Sequence, residues 1–505
     1  MKINKQVRQA SAGVVLLLLG AILTFDSSRR YSEKRYVVDA AACRMNVLAI
    51  QRADLPPTSE VGYVVLFHGI SANNLLMQYL ARSFAELGLR VFLPDFPGHG
   101  HSPGPFTPEQ AESCGASLVR GLAARGMILP ERTILAGHSM GGAIALRIAE
   151  KFRPAGVIAV SPAPMQAAHG VIPENLLFHS LPRVLPHTGI LVGQFEPASF
   201  VQNASDLARQ SNDPTVQFAI IPWNTHVSML FSPSVATYCQ AWASLVLSLP
   251  ESTVLPLRAN VFGSLLGLVG ILLVAGPFLR DVLGKKAHAD CATGPAAPPW
   301  RAVLEILIVS LAVVLLLHFW LPLRLLHLFE GDYLASFFLI LGLLLLALHF
   351  RAALTQLGVP PGLFLASAAA ALLLQFLVAS WFELSATSAW LTLQRWARFP
   401  VFLLAAFLFL YAVELLVGPV VRSRLRYLFW FLLVVLAWAS LVFGVLFLKS
   451  GEILFVLLSP YFALQFLLGG LAIQLVRRLT GSPAAAAIFG AILLAGFSLV
   501  LFPVS

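Results

Sequence analysis

Nine stretches of this chain run for close to twenty residues with almost no charge, and that limits the possible folds more than any other feature. One lies near the N-terminus, at 9–25. Eight follow residue 256, at 259–279, 302–322, 333–350, 362–382, 399–418, 427–448, 453–476 and 483–503. About twenty apolar residues are what a helix needs to cross a bilayer. Inside a bilayer the backbone finds no water to bond, so each run must close its own hydrogen bonds as a helix. The composition agrees: 58% hydrophobic and 11% charged, against about 25% charged in soluble domains.

The net charge of +10 does not indicate a nucleic-acid surface, because many basic residues fall in short segments between the apolar runs. Lys2, Lys5, Arg8, Arg280, Lys285, Lys286, Arg301, Arg351, Arg422, Arg424, Arg426, Arg477 and Arg478 fall on one alternating set of ends and connectors. Only Arg324, Arg395, Arg398 and Lys449 fall on the other. By the positive-inside rule the N-terminus is expected in the cytoplasm, with residues 30–255 and the C-terminus on the far side. No small-x-small cleavage site follows 9–25, so that run is expected to stay as a signal anchor rather than be removed. The expected division is an anchor at 1–29, a water-exposed domain at 30–255 and an eight-helix membrane domain at 256–505.

Residues 30–255 alternate short apolar strands with helix-compatible stretches. Strands are expected at 36–39, 45–51, 62–67, 90–94, 131–136, 156–160, 189–193 and 216–221, with helices at 75–87 and 108–125. Runs such as Val64-Val65-Leu66-Phe67, apolar throughout and ended by glycine, suit strands buried on both faces. The alternation predicts a mostly parallel sheet with helices on both faces.

Gly137-His138-Ser139-Met140-Gly141-Gly142 sits between one such strand and a helical run. A serine hydroxyl is a weak nucleophile unless a tight turn projects it toward a base. Glycines two residues before and after let the neighbouring backbone pass closely, and the following helix directs N–H groups at a developing oxyanion.

The set His68-Gly69, Asp95-x-x-Gly98-His99-Gly100-x-Ser102 and Gly137-His138-Ser139-Met140-Gly141-Gly142 resembles α/β-hydrolases of the monoacylglycerol lipase, lysophospholipase and S33 serine-aminopeptidase group, over about 220 residues. The resemblance implies the order nucleophile, acid, base. The base should then be His226, in Pro222-Trp223-Asn224-Thr225-His226, with His169, His179 and His187 as competitors in a lid segment. The acid should be Glu196, in Gly193-Gln194-Phe195-Glu196, where the family usually has aspartate, with Asp206 as the alternative. By the same analogy the oxyanion donors are the N–H groups of Ile70 and Met140. The short lid between Ser161-Pro162-Ala163-Pro164 and Gly189 leans toward the lipase side, because peptidases of the group usually carry a larger cap. Leu176-Leu177-Phe178 and Leu181 form either an apolar lip facing lipid or an ordinary packed cap.

Together these features imply a membrane-bound serine hydrolase that cleaves acyl esters of monoacylglycerol or lysophospholipid type and needs no cofactor. An S33-type peptidase, or a transporter-like membrane protein with an accessory hydrolase, is the alternative. His99-x-His101 lacks a third ligand at suitable spacing for a metal and is expected to be a packing turn. Glu305 and Glu414 are the carboxylates within the apolar runs, and Gln375 and Gln465 the amides. Both carboxylates fall toward the expected cytoplasmic ends, where an arginine neighbour is available. Cys43, Cys114, Cys239 and Cys291 have no CxxC or zinc spacing and are expected as free thiols, with a pairing of Cys43 or Cys114 to Cys239 as the alternative.

Overall fold

A computed structural model describes residues 5–40, 43–55, 62–165, 177–250, 254–284, 298–320, 324–418 and 425–505. The chain divides into two compact units. One comprises Met1–Leu19, Leu266–Trp381 and Trp390–Phe502; the other comprises Gly20–Leu265, Phe382–Ala389 and Pro503–Ser505.

The chain begins with an apolar helix, α1 (Lys5–Ser28). The second unit is then built on β1 (Tyr31–Ala40), β2 (Cys43–Arg52), β3 (Tyr63–Phe67), α2 (Gln78–Ala85), β4 (Arg90–Pro94), α3 (Pro108–Ala124), β5 (Thr133–His138), α4 (Met140–Phe152), β6 (Gly156–Val160), β7 (Thr188–Gly193), α5 (Ala198–Arg209), β8 (Val216–Ile221) and α6 (Pro233–Leu247). The eight strands lie in the order β1-β2-β4-β3-β5-β6-β7-β8. β1–β2 and β2–β4 are antiparallel and every other pair is parallel. This is the expected α/β architecture. β3, β5 and β6 are buried at every residue, which is why their sequences are apolar on both faces. The first two strands are longer than their apolar cores because the hairpin continues through charged residues such as Glu33, Lys34 and Arg35.

From β3 the chain moves outward to β4 on one side, then returns to β5 on the other. The order therefore reverses between β3 and β5. In open parallel sheets the crevice at such a reversal, beyond the carboxyl ends of the strands, is where ligands bind. Pairing of Phe67 with Gly137 brings the His68-Gly69 loop and the Ser139 turn side by side at that point.

The expectation of free thiols is corrected at two positions. Cys43, which opens β2, is bonded to Cys114 in α3, with Cα atoms 5.5 Å apart. They are 71 residues apart in sequence and meet only because α3 packs against the β1–β2 hairpin. Cys239 is free and buried, so it does not pair with either. Cys291 lies outside the described residues.

The other unit is built on most of α7 (Ala259–Leu283), then α8 (Pro299–Phe319), α9 (Gly331–Leu348), a short α10 (Phe350–Leu357), all but the last residues of α11 (Pro361–Ser385), α12 (Leu393–Val417) and α13 (Arg426–Phe443). After them come a four-residue α14 (Leu454–Leu457), α15 (Ser459–Thr480) and α16 (Pro483–Leu501). Among the described residues, nine helices are long and apolar enough to cross a membrane, α1 included. The apolar run at 453–476 is not one helix. It breaks at Leu458, where Pro460 in the first turn of α15 cannot continue the preceding ladder. α12 and α16 are the most buried, with 67% and 83% of their spans inside. Glycines allow close helix contacts: a Cβ on Gly13 of α1 would lie 2.7 Å from the Gly270 oxygen of α7.

The carboxylates of the apolar runs are paired. Glu414 accepts from Arg426 (3.0 Å) and Gln474 (2.5 Å), with Arg477 at 3.6 Å. Glu305 meets His349 Nε2 at 2.5 Å. The expected arginine neighbour is present at Glu414, whereas the partner of Glu305 is a histidine; both carboxylates have a side-chain partner. The side-chain amide atoms of Gln375 and Gln465 are buried without a hydrogen-bond partner.

The disulfide makes the first prediction. Closing a loop of about 70 residues restricts the unfolded chain, an effect typically of 2–4 kcal/mol. Cys43→Ser is expected to lower the thermal midpoint of the oxidised protein, and reductant should lower the parent to the same value. A reductant-insensitive midpoint in the parent would contradict the bond.

Candidate active site

Four loops meet at the carboxyl ends of β3, β5, β7 and β8. The β5–α4 turn is the tightest. Ser139 sits there at φ 55° and ψ −121°, a backbone state that costs on the order of 1–3 kcal/mol for a residue with a Cβ. Absent side chains on either side make it possible. A Cβ on Gly137 would lie 2.2 Å from the Gly141 oxygen, and one on Gly141 would lie 2.3 Å from the Phe67 oxygen. The turn is fixed by Ser139 N–H donating to Val160 O (2.9 Å) and by Ser139 O accepting from Ala143 (3.1 Å) and Ala163 (3.0 Å). Met140 N–H is the first of α4, so it has no acceptor within its own helix.

The β3 loop passes directly over this turn. A methyl on Gly69 would lie 3.0 Å from Ser139 Cβ, which brings Gly69 and the following Ile70 beside the serine. His68 is fully buried and braces the loop from behind. Its Nδ1–H donates to Gly69 O (2.7 Å), while Nε2 accepts the Phe96 N–H (3.0 Å). Burial in this apolar setting lowers its pKa to about 4, so the ring is neutral and acts as a strut between two loops.

On the other side, the loops after β7 and β8 are laced together. Gln194 N–H donates to Ile221 O (3.0 Å) and Phe195 N–H to Asn224 O (2.9 Å). They carry Glu196 and His226, which the sequence singled out. His226 Nδ1–H donates to Glu196 Oε2 at 2.8 Å, a geometry that leaves Nε2 as the unprotonated ring nitrogen. The Glu196 loop turns back tightly on Gly193, with Glu196 N–H on Gly193 O at 3.3 Å.

Two supporting contacts were not legible in the sequence. Ser161 Oγ donates to the second oxygen of Glu196 at 2.5 Å, so each oxygen of this fully buried side chain has a partner. Ser161 follows β6, 35 residues upstream, and looked only like the start of a lid. His138 Nε2–H donates to the backbone oxygen of His226 at 2.9 Å. The residue preceding Ser139 thus anchors the loop that presents His226. Burial and the neighbouring His226 both keep His138 uncharged. Phe200 of α5 packs edge-on against the His226 ring, with centroids 4.6 Å apart.

The competing residues lie elsewhere. Asp206 bonds Gln202 within α5 at 2.6 Å. His179 is exposed, and the His187 N–H bonds Thr215 at 2.8 Å. His169 lies outside the described residues, as does Leu176. Phe178 is buried, 4% exposed, with the Arg147 guanidinium over its ring at 5.1 Å; this favours the packed-cap expectation over the lipid-facing lip. His99 Nδ1 donates to Pro97 O (3.0 Å) and its ring packs on Phe106. His101 Nε2 instead meets Glu383 Oε1 at 2.7 Å.

Residues 58–232 match the family model described as serine aminopeptidase, S33. Esterase YjfP of Escherichia coli (strain K12) is 30% identical over 98 residues, covering 17% of this chain and 38% of that protein's length. Among solved structures, a thermophilic esterase from Thermogutta terrifontis is 20% identical, covering 43% of this chain and 99% of its own, with a TM-score of 0.32. An α/β serine hydrolase without lid from Xanthomonas campestris is 19% identical over 44% and 97% of the two chains, with a TM-score of 0.34. A membrane phospholipase A described as a bacterial virulence factor is 19% identical over 47% and 94%, also at 0.34.

The two buried histidines set a pH dependence. His68 is held neutral down to about pH 4 in the folded chain but ionises near 6.5 when exposed, and His138 shifts in the same direction. The unfolded state therefore takes up protons first, so their contribution is complete above about pH 6.5 and lost as pH falls toward 4. Asp95, raised by burial from 3.8 to about 6, and His101, raised by its hydrogen bond to Glu383, act oppositely in that window, so the His68 contribution is read as a difference between two proteins. By scanning calorimetry, the midpoint of His68→Asn should fall less, or rise more, between pH 7 and pH 5 than that of the parent. An equal change in the two proteins would contradict the assignment of His68.

Proposed function

We propose that this chain is a membrane-bound serine hydrolase that cleaves acyl esters, with monoacylglycerols or lysophospholipids as its substrates. Ser139 is the nucleophile, His226 the base and Glu196 the acid. The observation that carries this reading is the 2.8 Å hydrogen bond from His226 Nδ1 to Glu196, in loops tied by His138 to the strained turn at Ser139. His226 Nε2 takes the Ser139 proton as Oγ attacks the carbonyl, and the Ile70 and Met140 N–H groups hold the oxyanion. Glu196 stabilises the imidazolium without taking its proton. Collapse expels the alcohol with that proton and leaves an acyl-serine, which water then attacks with His226 again as base. Nothing in this cycle calls for a metal or cofactor.

The ester and lipid preference rests on three supports. The matched Escherichia coli relative is an esterase. The nine long apolar helices favour a multi-pass protein working at a bilayer. Beside Glu196 and His226, Phe195 and Trp223 meet edge to face, and Trp223 is 82% exposed, offering apolar surface to an acyl chain. The charge asymmetry of the connectors supports a cytoplasmic N-terminus and an extracytoplasmic hydrolase. The Cys43–Cys114 bond supports the same side, because such bonds persist in oxidising compartments.

The test is hydrolysis of lysophospholipid and monoacylglycerol micelles by the full-length protein. Ser139→Ala is expected to lower kcat by at least 10³-fold, and Glu196→Gln by 10²- to 10⁴-fold with KM little changed. Undiminished lipid hydrolysis by Ser139→Ala would overturn the mechanism. Cleavage of peptide amides in preference to these esters would overturn the substrate class.

A further inference from the structure

The hydrolase unit includes two segments from far along the chain, Phe382–Ala389 and Pro503–Ser505. The first reaches the loops that follow β3 and β4, and the second reaches the loop that follows β4. Asn73, three residues beyond Ile70, donates through Nδ2 to Thr387 Oγ1 (2.7 Å) and accepts the Ser388 N–H on Oδ1 (3.2 Å). The same oxygen accepts the Leu76 N–H (3.3 Å), so Asn73 also caps the turn that follows. A second route starts at Asn74. Its N–H donates to Asp95 Oδ1 (2.7 Å), and Asp95 Oδ2 accepts the His101 N–H (3.2 Å). The His101 ring meets Glu383 Oε1 at 2.7 Å, and Glu383 Oε2 accepts the Ala389 N–H at 2.9 Å. Two routes from the Ile70 loop, one through Asn73 and one through Asn74, therefore converge on the same eight residues. Pro503–Ser505 adds a backbone brace, with Val504 N–H on Gly98 O (3.2 Å) and Phe106 N–H on Val504 O (2.6 Å).

The loop has a reason to need holding. Ser71, next to Ile70, sits at φ 59°, a state that persists in a non-glycine residue only when its surroundings over-determine it. Asn73 is 6% exposed and the Glu383 side chain 9%, so these bonds are shielded from competing water. A displacement of about 1 Å in a group that must meet the transition state can cost on the order of 10²-fold in rate.

We propose that residues 382–389 act as a clamp on the oxyanion loop, with Asn73 and Glu383 as positioning residues that fix the direction of the Ile70 N–H. Turnover then depends on a segment carried by the C-terminal half of the chain. The clamp rests on the reading of Ile70 as an oxyanion donor, and the test separates the two. The full-length protein in detergent would be compared with Asn73→Ala, Glu383→Gln, Thr387→Val, Thr387→Ser and the double variant Asn73→Ala/Glu383→Gln. The readouts are kcat and KM on a short p-nitrophenyl ester, and amide hydrogen exchange across 68–77.

Asn73→Ala, Glu383→Gln and Thr387→Val are each expected to lower kcat by about 10- to 100-fold with KM within about threefold, and to speed exchange at 70–74. Thr387→Ser, which keeps the hydroxyl, should behave as the parent. The double variant should fall well short of the product of the singles, because both routes end on one segment. Exchange at 70–74 unchanged in the three disruptive variants would overturn the clamp whatever the activity. Faster exchange with kcat unchanged, or a fully multiplicative double variant, would overturn its link to turnover. Absence of Ser139-dependent hydrolysis in the parent would instead overturn the hydrolase reading, with the exchange data still deciding the clamp.

Discussion

The turn at Ser139 exists only because two side chains are missing. Gly137 and Gly141 press against each other and against the β3 backbone at distances no Cβ could occupy, and between them Ser139 is forced to a positive φ. That conformation costs free energy, offset by the buried parallel strands on either side of β5. The rest of the site follows from it. The serine stands clear of the sheet at the strand-order reversal, α4 begins immediately behind it, and the Gly69 loop can approach from the far side.

Around the turn, the structure uses buried, uncharged hydrogen-bonding groups as struts between loops. His68, His138 and Ser161 each join two loops through hydrogen bonds that stay inside the protein. Burial keeps both histidines uncharged, so neither competes with His226 for a proton in the proposed mechanism. Asp95 works similarly at the edge of the site, where its oxygens collect backbone N–H groups from Asn74 and His101. Such second-layer groups hold side-chain geometry to the tolerance that proton transfer and oxyanion binding demand.

What was legible in the sequence was local or strictly ordered along the chain. The strand–helix alternation, the glycine spacing around Ser139 and the loops bearing Glu196 and His226 depend on neighbours within a few residues. The apolar runs were legible because a membrane demands about twenty apolar residues in a row; the break at Leu458 was missed because hydropathy does not register a proline's missing N–H. What stayed hidden needed the tertiary fold. Cys43 and Cys114 meet through the packing of α3, Ser161 reaches Glu196 across two strand ends, and Asn73 finds Thr387 more than three hundred residues away. Phe178 looked fit to face lipid on hydrophobicity alone, but it is buried with the Arg147 guanidinium over its ring.

The account stands on Ser139 being a nucleophile activated by His226. The most direct measurement is to treat the full-length protein with a fluorophosphonate and locate the adduct by peptide mass spectrometry, alongside His226→Ala. The account predicts a single phosphonylated residue, Ser139, and labelling at least a hundredfold slower in the histidine variant. An adduct on another residue, or equal labelling without the His226 ring, would contradict it.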